Sequence, residues 1–163
     1  MIARTGLLAL TMISLASAPA SAVNPDPRVD NERAVELYDR AVGLLDSRHR
    51  WAEAASLLRR SAGSRAEADP AASQTMRFAG RVYAQAGEFG KSREAFAKAA
   101  ELALARGSLV EAAHAYIDAA HAAAEQGDGD RAHALAEKAQ RISTSPLLPA
   151  DARLSIVSLV GAL

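Results

Sequence analysis

An apolar pattern that occurs three times limits this chain to few folds. Met76, Gly80, Tyr83, Gly87, Phe89, Phe96 and Ala99 stand in one copy. Shifted back by 38 residues, the matching places hold Tyr38, Val42, Leu45, Trp51, Leu58 and Ser61, with Ala54 between. Shifted forward by 40, they hold Tyr116, Ala120, Ala123, Gly127, Ala136 and Ala139, with Ala132 between. Spacings of three and four residues put such side chains on one face of a helix, and the glycines end the first helix of a copy. Each copy is therefore a helical hairpin with one apolar face. A lone hairpin cannot bury that face, whereas three in series closed by a further helix can.

Local signals place the hairpins at about 31–63, 70–106 and 109–142. In the first, Ala34, Leu37, Ala41, Leu44 and Leu45 recur at helical spacing, the polar stretch Ser47–Arg50 breaks the pattern, and a second helix opens at Trp51. Asp69-Pro70 opens the second hairpin as an N-cap followed by proline at the first helical position. That hairpin turns at Gly87 and stops at Gly107. Ser108-Leu109-Val110-Glu111 reads as a capping box for the third, which turns at Gly127-Asp128-Gly129-Asp130. The stretch STSPLLP after Ile142 cannot continue a helix, and an apolar helix follows over 149–163. Aromatic residues make up only 4% of the chain and alanine much of its apolar half, which favours closely packed helices. No segment reads as a strand.

The Met76-to-Ala99 pattern resembles a tetratricopeptide repeat, and the resemblance extends over about Asn31–Ile142. The small residue at Gly80 permits close approach of the paired helices, Tyr83 fills the space beside it, and Phe96 and Ala99 form the opposing surface. The copies depart from the family: glycine and aromatic occur together only in the second, and periods of 38 and 40 exceed its usual length. The resemblance implies an all-α, right-handed superhelix of three antiparallel helical hairpins with a C-terminal capping helix. It also implies a concave groove lined by the first helix of each hairpin. The groove positions are then Glu36, Asp39 and Gly43 with Asp46 a turn on; Gln74, Arg77 and Arg81 with Gln85 following; and His114, Ile117 and His121. Such a groove is acidic at one end, basic in the middle and imidazole-bearing at the other, suited to a protein or peptide partner of mixed charge. The plainer reading of these charges is a solvated surface.

Ahead of the repeats, Arg4 is the sole charge before Asp26, Leu7–Ala16 is apolar apart from Thr11 and Ser14, and Ala20-Ser21-Ala22 supplies a small-x-small site. This reads as a secretory signal peptide over 1–22, cleaved before Val23, and the expected destination is periplasmic or secreted. The apolar run falls short of the roughly 20 residues that span a bilayer. Residues 23–30, with two prolines, read as a flexible spacer.

Basic and acidic residues number 19 each, so no net field draws the chain to nucleic acid or an anionic membrane, and cysteine is absent. The arginines at 48, 50, 59, 60 and 65 cluster locally but lack an interleaved aromatic series for stacking bases. The chain carries none of the G-x-S-x-G, H-E-x-x-H or phosphate-loop motifs of enzymes, and the expectation is a non-enzymatic protein without a cofactor. Two alternatives stand beside the scaffold. His114, Asp118 and His121, at spacings of four and three, could bring three metal ligands to one side of a helix. The terminal helix, with Leu154, Ile156, Val157, Leu159, Val160 and Leu163, could cap the array or pair with a second copy as a homo-oligomer.

Overall fold

The structure is a computed structural model that describes residues 27–162, with side chains from Asp30 onward. The expected signal peptide at 1–22 and the first part of the expected spacer lie outside the described residues. Within them are seven helices and no strand: α1 (Pro27–Val42), α2 (Trp51–Gly63), α3 (Pro70–Gln85), α4 (Phe89–Ala105), α5 (Leu109–Glu125), α6 (Gly129–Ser143) and α7 (Ala150–Val160). Helix α1 is described from Pro27 onward, so residues 27–30 of the segment expected as a spacer are helical.

Each helix packs against the next in chain order, and α7 also reaches α5. The connections have a common origin. Gly87, Gly107 and Gly127 adopt φ of 77°, 74° and 81°, a left-handed conformation that favours glycine. The amide after each donates to a carbonyl five residues back: Glu88 to Tyr83, Ser108 to Ala103 and Asp128 to Ala123, each at 2.9 Å. These are Schellman caps, which satisfy the last carbonyls of α3, α4 and α5 and reverse the chain within three residues. Their spacing of 20 residues makes α3 to α6 a series of equal helix-turn units. Two such units give the 40-residue repeat seen in the sequence.

Helix starts are less uniform. Asp69 Oδ1 accepts from the Ala71 amide at 2.8 Å, the expected cap of α3. At α5 the expected capping box does not form: Ser108 makes no side-chain cap. Glu111 turns away to Ser73 and Arg106, a stronger charged partnership than the reciprocal backbone bond.

The core runs along the array and is rich in alanine. Nine of the 17 residues of α5 are buried, seven of them alanine, so neighbouring helices approach closely on several sides. The buried positions of α3 and α5 correspond at a shift of 40, from Ala72 and Ala112 to Tyr83 and Ala123. At a shift of 38, Ala34, Leu37 and Ala41 of α1 match Ala72, Thr75 and Ala79. The expected match of Val42 to Gly80 fails, since Val42 is 43% exposed, whereas Leu45 is partly buried against the core as Tyr83 is within it. Helix α1 stops at Val42, and Leu45 lies in the following turn, where its carbonyl accepts from Trp51 Nε1 at 2.9 Å. Between α2 and α3 the glycine cap is also missing, and the link is held by Arg65, which donates to Asp69 Oδ2 at 3.2 Å.

The expected tight approach at Gly80 is present. A β-carbon there would lie 2.7 Å from the Phe96 ring of α4. At the chain's end, α7 inserts Ile156 fully into the core, but Leu154 and Val157 are 72% and 52% exposed. No described helix is long and apolar enough to cross a membrane.

Candidate functional site

Helix α3 carries a row of side chains along one face at three- and four-residue spacing: Gln74, Arg77, Phe78 and Arg81. Tyr38 of α1 flanks this row on one side and Glu111 of α5 on the other, with Arg65 at the end. Together they line an open cleft of about 720 Å³. The Tyr38 and Phe78 rings lie 6.4 Å apart with their planes tilted by 46°. That separation suits an aromatic pair, and both rings are only half-buried, so they form an apolar wall beside the charged row.

The charges around the cleft are unequally engaged. Arg77 Nε donates to Asp118 Oδ2 at 2.6 Å, tying α3 to α5. Arg65 donates to Asp69 and Asn31, each at 3.2 Å. Glu111, the one carboxylate on the cleft wall, accepts from Arg106 at 2.5 Å and from Ser73 at 2.8 Å, and Arg106 also donates to Ser73. Arg81 is exposed and forms no ion pair among the described residues. Three guanidinium groups thus border the cleft against one carboxylate that is already neutralised, and one of the three is unengaged.

Of the positions expected to line a groove, Gln74, Arg77 and Arg81 border this cleft. His114 lines an adjoining cleft of about 550 Å³, whose wall also includes Leu147, Leu148 and Pro149. Glu36, Asp39, Gly43, Asp46, Gln85 and His121 are exposed but border neither cleft. Ile117 is a correction: it is 3% exposed and belongs to the core with Leu148 and Ile156. Helix α7, expected as a cap, contacts α5, and Leu147, Leu148 and Pro149 of the linker before it lie beside His114.

Asp118 is held by Arg77, and among the described residues no three His, Asp or Glu side chains come together as ligands. The Gly127–Asp130 segment is a turn, with Asp128 capping α6 by accepting from the Arg131 amide at 3.1 Å.

Phe78, Arg65 and Glu111 line the cleft without being among the positions that the repeat spacing assigns to a groove. Phe78 is detectable in principle, because it sits four residues from Gln74 and three from Arg81 on the same helical face. Arg65 lies in an irregular link, where periodicity carries no signal, and local spacing assigns Glu111 to a cap. No protein-family model, curated protein or solved structure matches the chain.

Proposed function

We propose that this chain is an exported, non-enzymatic scaffold of the tetratricopeptide-like kind, which holds a protein or peptide partner in the groove formed by the first helices of its hairpins. The observation that carries this reading is the cleft across α3, lined by side chains from α1, α3 and α5 together. A ligand lying there touches three successive first helices at once. The recurrence of buried positions at shifts of 38 and 40 supports a stacked array of hairpins with α7 as its cap. Cross-helix ties such as Arg77–Asp118 hold the cleft in shape before binding, which lowers the ordering cost of association.

The test is photo-crosslinking in an envelope extract. A crosslinker placed at Gln74, inside the cleft, is compared with one at Lys98, an exposed position on α4. The scaffold reading expects a discrete adduct from position 74, lost on Arg81→Glu in a folded variant, and none from position 98. Equal adducts from both positions, or none from 74, overturn it. The first residue of the protein recovered from the envelope fraction tests export: Val23 is expected.

A second reading is favoured by one specific observation. Helix α7 buries Ile156 alone and leaves Leu154, Val157 and Leu159 exposed, an apolar surface at the end of an array. Pairing of two copies through α7 would cover it. A mass that rises with concentration and returns to the monomer with Val157→Glu is the expected outcome; a monomer at all concentrations rejects it.

A further inference from the structure

The charge distribution around the α3 cleft selects among possible partners. Arg77 and Arg65 keep part of their donor capacity but are anchored to Asp118 and to Asp69. Arg81 is anchored to nothing among the described residues, while the acidic residues Glu36 and Asp39 of α1 lie outside the cleft wall. The single lining carboxylate, Glu111, is satisfied by Arg106 and Ser73. A cationic ligand would therefore meet Arg81 with no compensating anion, whereas an anionic side chain would find a free guanidinium. On the same face, three residues from Arg81, the Phe78 ring packs with Tyr38 into a half-exposed apolar wall.

Resting on the groove reading above, we propose that the partner enters as a segment with adjacent acidic and apolar side chains. Its carboxylate pairs with Arg81 and its apolar neighbour packs on Tyr38 and Phe78. This departs from the mixed-charge partner expected from sequence. Engagement of Asp118 by Arg77, and the position of the α1 acids outside the wall, remove the anions that the basic residues of a mixed partner would need.

The experiment measures fluorescence anisotropy of short labelled peptides with the full chain, at low and at physiological salt. The peptides are acetylated and amidated, so that only side chains carry charge. One repeats Leu-Glu pairs separated by Ser and Gly; the others replace Glu by Gln, Glu by Lys, or Leu by Ser. The Leu-Glu peptide is expected to bind at least about tenfold more tightly than the Gln or Ser peptides. Arg81→Glu should abolish that preference and favour the Lys peptide, and Phe78→Ala should weaken Leu-Glu binding while leaving the helical signal intact. Should Phe78→Ala prove unfolded, Tyr38→Ala at the outer side of the same wall serves in its place. If the Gln or Lys peptide binds equally well and remains sensitive to Phe78, the groove reading survives and the acidic preference is overturned. If Leu-Glu binding ignores Arg81→Glu, or no peptide binds, the inference is wrong, while crosslinking from position 74 still decides the groove independently.

Discussion

Arg77 Nε lies 2.6 Å from Asp118 Oδ2, joining α3 to α5 across 41 residues of sequence on the face that carries the cleft. The pair engages one donor of Arg77 and one oxygen of Asp118. Its side chains are 24% and 27% exposed, so water screens the pair only in part. A double-mutant cycle of Arg77→Ala and Asp118→Ala in urea unfolding should give a coupling of about 0.5–1 kcal/mol, smaller at high salt. A coupling indistinguishable from zero would mean that the pair does not hold the two helices together.

Gly80→Ala would drive a β-carbon to 2.7 Å from the Phe96 ring. The helix-propensity gain of about 1 kcal/mol is outweighed by overpacking, for a net loss of about 1–2 kcal/mol. Phe96→Leu alone should also destabilise, but combined with Gly80→Ala it should cost less than the sum, because the shorter side chain makes room. Chemical denaturation of the four proteins checks this, and strict additivity would contradict the close approach.

Two glycines with open surroundings should respond oppositely to alanine. Gly107 has φ of +74° and nothing within 4 Å of an added β-carbon, so Gly107→Ala costs about 1 kcal/mol through backbone conformation alone. Gly63 also meets nothing within 4 Å but lacks the positive φ, so Gly63→Ala should be neutral or stabilising by up to about 1 kcal/mol. Thermal melting of both variants separates conformational strain from crowding.

Tyr116 is buried in α5, and its phenol is held above the usual 10.0, first by burial and second by the nearby Glu101 carboxylate. The unfolded chain therefore ionises this tyrosine first as pH rises. Its contribution to stability is whole below pH 10.0 and declines as pH climbs from there through the raised folded value. Tyr116→Phe should blunt this alkaline loss relative to the parent while changing the pH dependence little at neutral pH. Urea unfolding followed across both ranges reads the difference; identical alkaline profiles would remove Tyr116 as its source.

The features set by the local geometry of a helix were legible in the residues alone. Repeating spacings of three and four placed Gln74, Arg77 and Arg81 on one face, and glycine's access to positive φ made Gly87, Gly107 and Gly127 turns. The apposition of Gly80 to Phe96 was also legible, since a small residue facing a large one inside a short hairpin has few other places to go. What covers each face was settled by tertiary packing. Ile117 fits the groove spacing as well as Arg77 does, yet it is buried in the core that Leu148 and Ile156 also join. His114, Asp118 and His121 have spacing compatible with metal binding, but Arg77, from another helix, takes the carboxylate. Glu111 suits a capping box until Arg106 and Ser73 offer it a charged alternative. The cause is the same in each case: periodicity says which side chains share a side of one helix, whereas burial and pairing depend on residues brought there from distant parts of the chain.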